Sequence, residues 1–175
     1  MLFPLLQIAI VSALLIYFGK WRGNMRRRNV QSWDGLIGQL RSDWSARDLS
    51  DQFLWKEGLS ATTDDIWQRL EGPKGLWAMF QNARVLLEMA DYAKRNASEL
   101  NPIDPMVLEA LRSDAMQIRL CVLMALAQYG LSKATAGVKV NAFRAASLYS
   151  GMAARMTTLL QNHAAVVLPD FVAAM

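Results

Sequence analysis

The sequence predicts an all-α protein: an N-terminal single transmembrane helix followed by a compact, bundle-like domain of about three long and two or three short helices. Three observations carry this. Residues 2–19 contain no charged side chain, and only Gln7 and Ser12 among them are clearly polar. Apolar residues then recur at spacings of three and four over residues 73–96, 105–129 and 139–163, which marks one face of a helix. Nothing alternates for long enough to make a strand: Val138-Lys139-Val140 is too brief, and so are residues 165–168.

The chain has 175 residues, enough for one domain with a real core and hardly for two. At 53% hydrophobic and 19% charged residues it is not a disordered chain, and it is more apolar than an ordinary soluble protein. A single cysteine, Cys121, excludes an internal disulfide framework. A single histidine, His163, excludes a site needing two imidazoles from one chain.

The net charge of +4 conceals three blocks. Residues 1–28 hold five cations (Lys20, Arg22, Arg26, Arg27, Arg28) and no acid. Residues 29–114 hold nine cations and fourteen acids, and residues 115–169 hold five cations and no acid. Such asymmetry implies that parts of the chain face different surroundings. The late cations are thinly spread rather than clustered on one face, so nucleic acid ranks as a distant third among partners.

As a helix, residues 2–19 rise roughly 27 Å, close to the hydrocarbon thickness of a bilayer. Lys20, Trp21, Arg22, Arg26, Arg27 and Arg28 follow at once, as an interfacial belt and basic flank would. A cleaved signal peptide would want cations before the apolar run and a small-x-small site after it. Neither is in place here. A buried core helix is the other alternative. The positive-inside rule then puts the N-terminus outside and residues 20–175 in the cytoplasm. Residues 20–41 read as a basic juxtamembrane segment in which Val30, Trp33, Ile37 and Leu40 share one helical side, weakened by Gly35 and Gly38. Its arginines suit anionic headgroups, each worth about 1 kcal/mol near a membrane surface.

Residues 42–175 are the expected cytoplasmic domain. Residues 42–71 read as two short helices, the first burying Leu49 and Phe53, the second opening at Thr63-Asp64-Asp65 with an N-cap and acids in its first turn. In 73–96, Leu76, Phe80, Ala83, Leu87 and Ala90 form the core stripe, with Arg84, Glu88, Asp91 and Arg95 on a solvated face. Asp104 caps and Pro105 opens the next helix, 105–129, whose seam runs Leu108, Leu111, Ala115, Ile118, Val122, Ala125, Tyr129. From Met116 it is apolar nearly all round, which implies burial on several sides. Gly130 would end it, and the stretch is too short, and too interrupted by Arg119, for a second span. The helix 139–163 is rich in alanine, which implies close approach to a neighbour. The apolar tail 164–175 must fold back, meet a partner or touch the membrane, and Val167, Leu168 and Phe171 are its candidate partner surface.

The sequence carries no recognisable catalytic motif. There is no glycine-rich phosphate loop, no Gly-x-Ser-x-Gly elbow and no Ser-x-x-Lys. His163 in a last helical turn reads as a dipole partner, and Cys121 in an apolar stretch as a small hydrophobe. Glu88, Asp91, Glu99 and Glu109 fit exposed helix faces better than an acid–base pair. No cofactor or metal is implied, and the chain is expected not to be an enzyme. The expected function is a membrane-anchored, non-catalytic helical interaction or scaffold module facing the cytoplasm. Its expected partners are the lipid bilayer and a protein or further copies of itself. The alternative is an accessory subunit of a membrane enzyme or transport complex.

Overall fold

Side-chain caps at Thr62 and Asp104 open two of the helices in the computed structural model, which describes residues 32–41, 62–99 and 101–175. The apolar run 2–19, the basic residues Lys20 to Arg28 and the short helix expected around Leu49 and Phe53 lie outside the described residues. The described residues are all-helical, without a strand. Residues Trp33–Met175 form one compact unit.

The first helix, α1 (Trp33–Ile37), is a single turn and a half that buries Leu36, with Leu40 buried just beyond it. The stretch 33–41, assigned by the sequence to the juxtamembrane segment, therefore packs on the bundle. Helix α2 (Thr63–Arg69) starts with a reciprocal box: the Asp65 amide donates to the Thr62 hydroxyl, and the Asp65 carboxylate accepts from the Thr62 amide at 3.0 Å. Its cap is thus Thr62, one residue before the expected position. The Thr62 hydroxyl and amide hold the Asp65 carboxyl below its ordinary range.

Between α2 and α3 (Pro73–Asn96) the chain turns through two positive-φ residues, Glu71 at 53° and Gly72 at 67°. Pro73 then supplies a first helical position that needs no donor. In α3 the buried side is displaced from the expected stripe, whose Phe80 and Leu87 are only half-buried. Met79, Leu86 and Met89 are fully buried along with Leu76, Ala83 and Ala90. Its polar side is not wholly solvated either, because Glu88 is buried against Arg84 at 2.9 Å.

Asp104 caps α4 (Pro105–Ser132) by accepting from the Met106 amide at 2.8 Å, as its spacing to Pro105 predicts. The helix does not stop at Gly130. It runs to Ser132 and ends where Lys133 takes a φ of 57° and donates its amide to the Tyr129 carbonyl. A solvent-facing glycine does not break a helix already propagating on an anchored inner face. At 28 residues α4 is long and apolar enough to cross a membrane, which corrects the expectation that it is too short.

Helix α5 (Ala136–His163) follows after a three-residue connection and runs antiparallel to α4: Asp114 meets Arg155, and Gln128 meets Asn141 at 3.2 Å. Helices α3 and α4 are antiparallel by the same test, since Asp91 pairs with Arg112 while Phe80 lies under Arg119. Helix α5 is the central element and packs against α2, α3 and α4. Ala142, Ala145, Ala146 and Ala153 are all buried in it, as close helix approach requires. A short 3₁₀ turn (Ala165–Val167) leads into α6 (Leu168–Ala174), which folds back on the bundle and seats Phe171 in the core.

Candidate functional site

The residues of α4 divide by helical angle into two apolar faces. Leu108, Leu111, Ala115, Ile118, Val122 and Ala125 point inward and are buried. They are the predicted seam without its last member, Tyr129, which is half-buried against Trp67. The opposite face carries Met116, Leu120, Leu123, Met124 and Leu131, with side chains 73, 56, 50, 40 and 89% exposed. The first four follow a helical spacing, and the exposed Ala127 carries the stripe on to Leu131. The expectation of burial on several sides is corrected here. Both partners of α4, α3 and α5, lie on its inner side, and among the described residues nothing covers the outer one.

The stripe has distinct rims. On the α3 side, the Arg119 guanidinium lies 4.6 Å from the Phe80 ring centre, and Phe80 stacks on Trp77 at 5.1 Å with ring planes 4° apart. Trp77 itself is 45% exposed, which extends the apolar surface onto α3. On the α5 side, Leu120, Cys121 and Met124 form one wall of an open groove of about 470 Å³, and Phe143, Arg144 and Leu148 form the other. Cys121 is a free thiol, half-buried at this wall. A contiguous apolar surface of this kind is distinct from the scattered single leucines that an ordinary protein surface exposes.

A second groove of about 620 Å³ lies between the start of α4 and the end of α5. Ile103, Val107 and Leu159 line it, with Asp104, Arg155 and His163 at its edge. Arg155 is already engaged by Asp114, a largely buried carboxylate. His163 occupies the last turn of α5, where the sequence places it.

The tail residues expected to meet a partner are placed inward. Phe171 is fully buried, and Leu168 packs half-buried against the core. Val167 is half-buried, and the large apolar residues that the tail exposes are Val166 and Val172. Once α6 turns back onto α5, its bulkiest side chain is held by the same burial that drives the rest of the core. Lys20, Trp21, Arg22, Arg26, Arg27 and Arg28 lie outside the described residues. The carboxylates do not gather: Glu88 is with Arg84 and Asp91 with Arg112. Among the described residues no three His, Cys, Asp or Glu side chains come together as a metal site.

Most of the buried polar chemistry is spent on architecture. Asn82 accepts the Arg41 amide at 2.9 Å and donates to the Arg41 carbonyl and the Tyr149 hydroxyl, both at 3.1 Å. That hydroxyl donates onward to the Met175 sulfur at 3.5 Å. Burial pushes the Tyr149 phenol well above its ordinary value, against a smaller opposing effect of the Asn82 bond. The outer stripe of α4 was legible as composition, because residues 116–126 are apolar almost throughout, but not as surface. Compared with family models, curated proteins and solved structures, the chain matches none of them.

Proposed function

We propose that this chain is a membrane-anchored, non-catalytic helical interaction module that faces the cytoplasm and works by binding through the outer face of α4. The observation that carries the reading is the continuous apolar stripe from Met116 to Leu131, exposed on a helix whose other face is core. The uncharged run 2–19 and the five cations that follow support the anchor and its orientation. An anchor confines the module to a surface, and that raises its effective concentration toward anything else there.

The test is to extract the native, untagged full chain in mild detergent and measure its mass and subunit composition, beside an alkaline carbonate wash of the membranes. The expected outcome is a chain that resists carbonate and keeps lipid or a stoichiometric partner bound after mild extraction. A chain washed off by carbonate, or one emerging with neither lipid nor a protein partner bound, would count against the reading. A second reading is an accessory subunit of a membrane enzyme or transport complex. It is favoured by the length and apolarity of α4, whose outer face an integral subunit would then cover. Reproducible co-extraction with multi-span subunits would move it to first place.

A further inference from the structure

We infer that the outer face of α4 is the surface on which the domain lies against an anionic bilayer, with α4 parallel to the membrane plane. This rests on the proposed anchoring and names what the docking surface touches. Charge chooses among the occupants. Arg119 borders the stripe on the α3 side, Arg144 on the α5 side, and Lys133 stands at its C-terminal end. Among the described residues none of the three has a carboxylate partner, whereas Lys139 is taken by Asp64 and Arg155 by Asp114. Residues 115–169 contain no acid at all, and Glu109 lies two turns before the stripe begins.

A second copy fits this surface poorly. A two-fold axis that pairs the stripes antiparallel sets Arg144 beside Arg144 and Arg119 beside Arg119. One that pairs them parallel sets Arg119 beside Arg144, so cation faces cation in either case. Anionic headgroups meet the same rims favourably, and the long arginine stems let the charges reach them while Leu120 and Leu123 enter the acyl boundary. Spanning is excluded by the other face: Leu111, Ala115, Ile118 and Val122 are wholly buried within the bundle, and crossing would require leaving it. The cytoplasmic leaflet, where the orientation reading puts the domain, is the anionic one.

The test uses the full chain in a Cys121→Ala background, reconstituted into phosphatidylcholine vesicles with and without phosphatidylserine. Environment-sensitive fluorophores are attached at Leu123→Cys and, as a control, at Lys94→Cys on α3. With phosphatidylserine, the label at 123 should be quenched by doxyl-labelled lipid and shielded several-fold from aqueous iodide relative to the label at 94. Removing phosphatidylserine, or introducing Arg144→Gln with Lys133→Gln, should reduce that shielding. Equal iodide quenching at both labels would overturn the inference by leaving the face in water. Shielding accompanied by energy transfer between copies, without lipid quenching, would overturn it in favour of a dimer. Should the double charge variant misfold, the comparison of lipid compositions still decides. Failure of the anchor shows separately, as release of the chain by alkaline carbonate.

Discussion

The Asn82 side-chain nitrogen donates to the Tyr149 hydroxyl at 3.1 Å across 67 residues of sequence, and the same amide group holds both backbone polar groups of Arg41. One buried side chain on α3 thereby fixes the segment after α1, the central helix α5 and, through the phenol, Met175. Replacing Asn82 by Ala leaves several groups without their partner and should destabilise the chain by about 2 kcal/mol. Tyr149→Phe should cost about 1 kcal/mol, and the double variant less than the sum, because the two share a bond. Urea unfolding of the detergent-solubilised full chain measures all three. Strict additivity would contradict the shared network.

Alkaline pH should expose the same phenol. Its ionisation is pushed upward by burial in the native state, while in the unfolded chain it titrates near about 10. Above that pH the unfolded state holds fewer protons than the native one, so stability falls as pH rises, and the loss continues until the native phenol ionises. Tyr149→Phe should show a shallower decline over the same range. Parallel declines for the two proteins would refute the linkage.

Gly75 is required by the approach of α3 to the turn before it. Its amide donates to the Leu70 carbonyl at 3.0 Å, and a Cβ at this position would lie 2.1 Å from that same oxygen. Backbone rather than a movable side chain is in the way. Gly75→Ala should therefore destabilise by about 3 kcal/mol or more, although alanine is the better helix former. A melting temperature equal to that of the parent would show that the α2–α3 turn can open.

Ser150 presents the opposite case. Its hydroxyl is buried and has no hydrogen-bond partner among the described residues, on a helix that also buries four alanines. Ser150→Ala removes an unsatisfied polar group and should stabilise by about 1 kcal/mol, seen as a higher unfolding midpoint. A lower midpoint would mean that the hydroxyl serves a partner or a water.

The two faces of α4 should respond differently to substitution. Ile118→Ala empties a fully buried position and should cost about 2–5 kcal/mol. Leu120→Gln and Leu123→Gln alter an exposed face and should change stability by no more than about 0.5 kcal/mol. Thermal unfolding of the three variants decides between surface and core. Large losses at Leu120 and Leu123 would place them inside.

The starts of α3 and α4 were legible because their causes are local, whereas α5 begins at Ala136, three residues before the expected position. Asp104 before Pro105, and Gly72 before Pro73, act through the residues beside them. The seam from Leu108 to Ala125 was legible as well, since periodicity records the direction in which a helix is buried. The C-terminal limit of α4 was not, because Gly130 signals a stop that the anchored inner face overrides.

The sequence alone determined that the described chain is helical, where α3 and α4 begin, and which residues of α4 form its inner seam. It also determined that residues 115–169 carry cations without acids. Only the tertiary structure decided which apolar residues are covered. Composition makes Leu120 and Ile118 equally apolar, but α3 and α5 occupy one side of α4 and leave Leu120 open while sealing Ile118. It likewise turned Phe171 inward and brought Asn82 to Tyr149. Burial depends on how many neighbours reach a position, and that number belongs to the packing of distant segments rather than to the residue or its period.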